Sequence, residues 1–158
     1  MKKKLNQESG LVWQVAEIGI VYRNKIPISE QPTISSSKDA EKVFREHWSN
    51  DIEVLEEFYA IYLNRVNKPK GIFHASKGGL AGTVADQRII FGIAVQIFAT
   101  SIIIAHNHPS GNLKPSNQDL ELTLRLKQSG LILETPVVDH LILAPQQGFY
   151  SFSDEGRL

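Results

Sequence analysis

The sequence predicts an α/β fold in which a mixed β-sheet is flanked by helices. Runs rich in β-branched and aromatic residues recur along the chain, and three segments with helical spacing of apolar residues separate them. A chain of 158 residues is long enough for one domain with a substantial core. Mixed strands with three helices favour the α/β class, after a polar segment at 1–10 that we expect to be a flexible tail.

The first half of the chain is expected to begin with an extension of strand and loop at 11–34, with the strand at 12–22. The serines at 35–37, followed by acidic residues, are typical of the start of a helix, which should end near residue 50. Segments 57–64 and 71–75 predict two strands paired as a hairpin. A flexible glycine-rich loop at 77–83 should follow them.

The second half begins with a segment at 87–99 that is apolar nearly all round, which predicts a buried helix. The Ile-rich run 101–105 predicts a buried strand. A further helix is expected at 117–129, packed through Leu120, Leu124 and Lys127, with Leu122 and Leu126 widening the stripe, and capped by Gly130. The remaining apolar segments predict strands at 131–133, 137–143 and 149–152.

Composition narrows the classes of function. Net charge is zero, which argues against avid, sequence-blind binding to duplex DNA. The chain has no cysteine, so a metal would be held by His, Asp or Glu. No apolar run approaches the roughly 20 residues needed to span a bilayer, and no signal peptide is apparent, so we expect a cytoplasmic protein that is not in a membrane.

The strongest functional pattern lies at the end of the Ile-rich run. His106 and His108 are two positions apart, and Asp119 follows after a gap of ten residues. Residues i and i+2 of an extended strand point the same way, about 6.6 Å apart. The first turn of the following helix should return Asp119 to the same place. The sequence therefore predicts that these three residues bind Zn²⁺ and leave its fourth position for water.

Hydrolysis by such a water requires a proton acceptor that is not a metal ligand. Glu57 is the predicted acceptor because it begins a strand of apolar and aromatic residues, although it also belongs to an acidic group with Glu53 and Glu56. Ser116 is the predicted donor to the oxyanion that forms at the substrate carbonyl. Ser116-x-x-Asp119 is also close to a capping box, which is the structural alternative for this serine.

These residues carry a resemblance to a known family. His106-x-His108-Pro109, Ser116-x-x-Asp119 and the upstream Glu57 resemble the signature of the JAMM (MPN) metalloproteases. The longer stretch His106-Asn107-His108-Pro109-Ser110-Gly111, with Pro115 and the later Asp139-His140, resembles the RadC branch of that family. Gly82-Thr83 and Arg88 fit the same branch.

The resemblance covers residues 35–158 and implies a cytidine-deaminase-like α/β fold. It also implies zinc on His106, His108 and Asp119 and hydrolysis of a peptide or isopeptide bond. Glu57 would then be the general acid/base, and Ser116 would assist the oxyanion. Residues 11–34 do not match the helix-hairpin-helix region of RadC proteins, so we expect a short form without it.

Two other classes of function remain open from the sequence. One is a DNA-processing or DNA-repair-associated protein of the RadC family without protease activity, and the other is a binding module whose site has lost activity. The contiguous His106-Asn107-His108 differs from HNH nucleases, whose residues are dispersed over a ββα hairpin. His47 and His74 are expected to be packed or on the surface. His140 is expected to pair structurally with Asp139, and the alternative is that it supports the metal ligands. The sequence names neither a peptide or protein substrate nor an oligomeric state.

Overall fold

The computed structural model describes residues 22–23, 26–78, 85–146 and 148–158. The predicted tail and the strand at 12–22 therefore lie outside the described residues, as does most of the glycine-rich loop. The elements, in order, are a 3-10 helix at Ile28–Glu30, α1 (Ser37–His47), β1 (Glu57–Leu63), β2 (Pro69–Lys77), α2 (Gln87–Gln96), β3 (Ser101–Asn107), α3 (Asn117–Ile132), β4 (Val137–Leu143) and β5 (Phe149–Ser151).

The five strands form one sheet in the order β2-β1-β3-β4-β5. β3 and β4 are parallel, and every other neighbouring pair is antiparallel. The predicted α/β class with a mixed sheet is therefore confirmed. The β1–β2 hairpin is confirmed as well, and in its turn Asn67 takes a φ of 56°.

Each face of the sheet has its own apolar core. On one face, Phe58 and Tyr62 of β1 pack with Ile90 of α2 and Leu126 of α3. On the other face, Tyr59 and other β1 residues pack with the buried residues of α1, Ala40 and Phe44. The alternation along β1 therefore decides which layer each side chain enters, although all seven residues of the strand are buried.

The end of α3 differs from the prediction. Residues 131–133 do not form a strand, because α3 continues to Ile132 and Leu133 is its C-cap. Gly130 lies inside the helix instead of capping it. A Cβ atom there would lie 2.8 Å from the carbonyl oxygen of Thr135, where the chain turns tightly into β4. Glycine is required at this position for the close approach of two backbone segments.

The packed face of α3 agrees with the predicted stripe at Leu126 and Leu122 but differs from it elsewhere. Its buried residues are Asp119, Thr123, Leu126 and Gly130. Leu124, which was expected to pack, is 55% exposed. The helix is therefore oriented by a row that contains polar residues, and that row faces the end of β3. Among the described residues, no helix has the length and apolar character needed to cross a membrane.

Candidate metal centre

His106 and His108 are presented by the end of β3. His106 is the penultimate residue of the strand and is buried. The N–H of His108 donates to the carbonyl of Leu143 (3.0 Å), which continues the pairing with β4 beyond Asn107. The two imidazoles therefore project to the same side, and their Nε2 atoms are 3.0 Å apart.

Asp119 joins them from the first turn of α3. Its Oδ1 lies 3.2 Å from the Nε2 of His106, and its Oδ2 lies 3.6 Å from the Nε2 of His108. The same carboxylate is held by a capping box. The Oδ2 atom accepts from both the N–H and the hydroxyl of Ser116, each at 2.7 Å, and the N–H of Asp119 donates to the Ser116 hydroxyl. The helix start therefore fixes the carboxylate beside the imidazoles.

The three residues fit a metal ion. Their ligand atoms all lie within 4.8 Å of one another. Two ligands about 2.0–2.1 Å from a tetrahedral zinc ion lie about 3.3 Å apart, and the 3.0, 3.2 and 3.6 Å separations bracket that value. The structure thus brings together the three predicted ligands in a group that can hold a metal ion.

The ionisation of the group follows from its contacts. Burial would raise the pKa of Asp119, but the neighbouring imidazoles of His106 and His108 outweigh it and hold that pKa well below its usual range. The neighbouring Asp119 carboxylate in turn raises the pKa of His108, against the effect of burial. The aspartate is therefore ionised at neutral pH, as a metal ligand must be.

The outer nitrogen of each imidazole has a defined partner. The Nδ1 of His108 lies 2.5 Å from the carbonyl of Asn112, which can only accept. The Nδ1 of His106 lies 2.8 Å from the Nε2 of His140. The Nδ1 of His140 lies 2.7 Å from the hydroxyl of Thr123. Metal-binding histidines in proteins are commonly oriented by partners of this kind.

Glu57 is on the other face of the sheet. Phe58 pairs with His106, so the residues on either side of Phe58 in β1 point away from His106, His108 and Asp119, which we call the metal group. The Oε2 of Glu57 accepts from the Ser49 hydroxyl (2.6 Å), and its Oε1 lies 3.3 Å from the Nε2 of His74. The structure therefore does not bring Glu57 to His106, His108 and Asp119, contrary to the expectation that it faces them.

Glu56, the neighbouring acid, lies on the side of the metal group. It lines a groove of about 440 Å³ that also contains His108, Asn112, Lys114 and Ser116. The charge of Glu56 contributes to the raised pKa of His108, which places the two groups within electrostatic reach. An acidic side chain therefore does share the site with the predicted ligands, one position earlier than expected.

Comparison with known proteins identifies the family of this chain. The family model described as RadC-like JAB domain matches residues 34–157. This chain belongs to the RadC-like JAB domain family. The expected resemblance is confirmed, and the match includes every element from α1 to β5.

Several relatives of this RadC-like domain carry the name UPF0758 protein. It is 45% identical over 101 residues to a UPF0758 protein of Flavobacterium johnsoniae, covering 64% of this chain and 44% of the relative. It is 38% identical over 136 residues to a UPF0758 protein of Porphyromonas gingivalis, covering 85% of this chain and 60% of the relative. The chain thus spans about half the length of the curated relatives it matches.

Two further residues of the RadC-like domain, His140 and Thr123, contact the metal group. For His140, a supporting contact beside the metal ligands was the alternative expectation from the sequence. His140 was expected to pair with Asp139, but only its backbone N–H reaches that carboxylate (2.7 Å), and its ring faces His106. Thr123 was not considered. The signal for His140 is the parallel pairing of β3 with β4, in which His140 is opposite Ile104 and so on the face of His106.

Proposed function

We propose that this RadC-like domain is a zinc-dependent hydrolase of the JAMM type that cleaves a peptide or isopeptide bond. The observation that carries the proposal is the group of His106, His108 and Asp119 with an acidic residue, Glu56, in the groove beside it. Zinc bound by three protein ligands supplies a Lewis acid and lowers the pKa of water in its open position. The chain must supply the proton acceptor and the substrate groove.

Glu56 is the proton acceptor in this proposal, in place of Glu57. Glu56 directly precedes β1 and lines the same groove as His108 and Ser116, which supports this role. It is partly exposed, so a substrate in the groove can reach it. A carboxylate in this position accepts a proton from the attacking water and returns it to the leaving amine.

Ser116 has a defined task in holding Asp119, since its hydroxyl proton is donated to the ligand carboxylate. Its predicted role at the substrate oxyanion stays a prediction. Asn112 and Lys114 line the groove on the same side as Ser116. The groove therefore offers an amide and a cationic side chain to a substrate that has entered beside His108.

Metal content is the first test of the proposal. We expect elemental analysis of the purified chain after loading with Zn²⁺ to find one ion per molecule. His106→Ala and Asp119→Ala should each abolish stoichiometric binding, because two ligands do not suffice to hold the ion. His74→Ala removes a histidine on the opposite face of the sheet and should leave the metal content unchanged. Stoichiometric zinc in Asp119→Ala would contradict the assignment.

Hydrolysis is tested with a paired substitution of the two neighbouring acids. The zinc-loaded chain is incubated with a proteome-derived peptide library and with isopeptide-linked peptides, and new amino termini are counted by mass spectrometry. Glu56→Gln should keep its zinc and lose cleavage by about 10²–10⁴-fold. Glu57→Gln should cleave like the unsubstituted chain. Equal cleavage by Glu56→Gln, or none by the zinc-loaded parent on either substrate, would overturn the proposal.

A further inference from the structure

Three buried side chains, those of Thr123, His140 and His106, form a closed circuit of polar contacts that begins and ends at Asp119. The Thr123 hydroxyl lies 2.6 Å from the backbone carbonyl of Asp119 and 2.7 Å from the Nδ1 of His140. The Nε2 of His140 lies 2.8 Å from the Nδ1 of His106, whose own Nε2 faces the Asp119 carboxylate. The circuit therefore begins and ends at Asp119, once through its carbonyl and once through its side chain.

The direction of each hydrogen bond follows from the carbonyl of Asp119. A carbonyl oxygen only accepts, so the single hydroxyl proton of Thr123 lies between the two oxygens. With that proton used, Thr123 accepts from His140, which places a proton on its Nδ1. The Nε2 of a neutral His140 is then bare and accepts from the Nδ1–H of His106. The remaining nitrogen of His106, Nε2, carries a lone pair.

We propose that Thr123 and His140 are positioning residues that hold His106 in the tautomer whose Nε2 lone pair faces the metal site. This inference rests on the metal binding in the proposed function, and it does not require hydrolysis. His108 needs no such device, because the carbonyl of Asn112 accepts directly from its Nδ1. Both imidazoles thus present Nε2, one through a backbone carbonyl and the other through two intervening side chains.

Packing holds the rings of the circuit in place. The His140 ring stacks on Phe152 with centroids 4.7 Å apart and planes within 10°. The His106 ring lies parallel to Phe58, with centroids 6.2 Å apart and planes within 3°. Thr123, His106 and His140 are 3%, 1% and 0% exposed, so water does not compete for their hydrogen bonds. Exchange of one tautomer for the other must therefore break the circuit.

The first test reads the tautomers directly in the metal-free chain. Long-range ¹H–¹⁵N spectra distinguish protonated from bare ring nitrogens, and they are recorded at about pH 9, above the ordinary histidine pKa of about 6.5. We expect both His106 and His140 to carry the proton on Nδ1, and Thr123→Val to convert each to a mixture. Nε2–H on either ring of the unsubstituted chain would overturn the inference.

The second test measures zinc affinity by competition with a chelator. Thr123→Val keeps the shape of the side chain but removes its hydroxyl, and it should weaken zinc binding by about 10–100-fold. Thr123→Ser restores the hydroxyl and should recover the affinity. His140→Ala removes a whole buried ring, so Thr123→Val is the cleaner variant.

Thr135→Val is the matched control. Thr135 is also a buried threonine whose hydroxyl donates to a backbone carbonyl, that of Leu133 (3.1 Å), but it precedes β4 at the opposite end of the sheet. It should leave both the zinc affinity and the tautomers unchanged. Unchanged affinity in Thr123→Val, or equal losses in the two variants, contradicts the inference. If the parent chain takes up no zinc, the proposed function fails, while the metal-free spectra still decide this inference.

Discussion

The side-chain oxygen of Asn107 accepts a hydrogen bond from the backbone N–H of Glu57 over 2.7 Å. The NH₂ group of the same side chain donates to the carbonyls of Ile52 (2.7 Å) and Leu55 (2.9 Å). Asn107 points away from the metal group, as its position between His106 and His108 predicts. It therefore ties the segment that carries Glu56 to the end of β3, where His106 lies and which His108 directly follows.

Asn107→Ala should be strongly destabilising. The substitution leaves three backbone groups without their partner, and each buried group left unpaired costs about 1–3 kcal/mol. We expect a loss of about 3 kcal/mol or more in the free energy of unfolding, measured by urea denaturation. Displacement of Glu56 should also lower kcat in the zinc-loaded chain.

Asn64→Ala is the control for that measurement. The Asn64 side chain accepts from the N–H groups of Val66 and Lys68 at 3.0 Å, in the partly exposed turn after β1. Water can replace those bonds, so the loss should be smaller, about 1 kcal/mol. Equal losses for the two asparagines would show that Asn107 does not hold the segment.

Alanine substitutions at two glycines within helices, Gly130 and Gly92, should have opposite effects on the stability of the fold. A Cβ atom at Gly130 would lie 2.8 Å from the Thr135 carbonyl and 3.1 Å from the N–H nitrogen of Val137, both backbone atoms. Gly130→Ala should therefore destabilise the fold by about 1–3 kcal/mol, as overpacking does. At Gly92 in α2 nothing lies within 4 Å, so Gly92→Ala should stabilise it by about 0.5–1 kcal/mol. Thermal or urea unfolding measures both, and a gain in Gly130→Ala would contradict the tight crossing.

Zinc affinity should depend on the protonation of His108. Its pKa is raised by the hydrogen bond with Asp119, and a metal ligand must be deprotonated. We expect the apparent affinity to increase with pH through that raised pKa, above the ordinary value of about 6.5, and then to level off. Chelator competition between about pH 6 and pH 9 measures the profile. A profile already flat at pH 6.5 would contradict the raised pKa.

The stability of the metal-free chain should have the opposite trend. A histidine whose pKa is higher in the folded chain than in the unfolded chain contributes stability below the unfolded pKa and loses it as pH rises through the folded pKa. His108 should therefore make the metal-free chain less stable as pH rises above about 6.5. In Asp119→Asn that component of the pH dependence should shrink, because the ionised partner is gone.

The grouping of His106, His108 and Asp119 could be predicted from the sequence because it depends largely on local geometry. Residues two apart on an extended segment point the same way, and the helix that follows a short connection returns its first turn to the same end of the strand. The position of the acid could not be predicted in this way. Glu56 and Glu57 are adjacent, and only the pairing of Phe58 with His106 shows which of them faces the metal group.

The errors in α3 have the same origin in tertiary contacts. A glycine followed by Leu131, Ile132 and Leu133 is typical of a helix end and a new strand. Gly130 instead lies inside α3, where the backbone of Thr135 leaves no space for a Cβ atom. The helix packs through Asp119 and Thr123 because these polar groups bond to the histidines of two strands. The buried row therefore shows a weaker helical periodicity of apolar residues than the leucine stripe from which the packed face was predicted.

The carboxylate of Asp119 both caps the start of α3 and faces the two imidazoles. Because Ser116 already holds the Asp119 side chain, that side chain would lose little conformational freedom on binding an ion. The spacing of His106, His108 and Asp119 is therefore set before an ion binds. The carboxylate that would bind the proposed ion is therefore also the one that caps α3. A substitution of Asp119 should weaken the start of this helix as well as remove a proposed ligand.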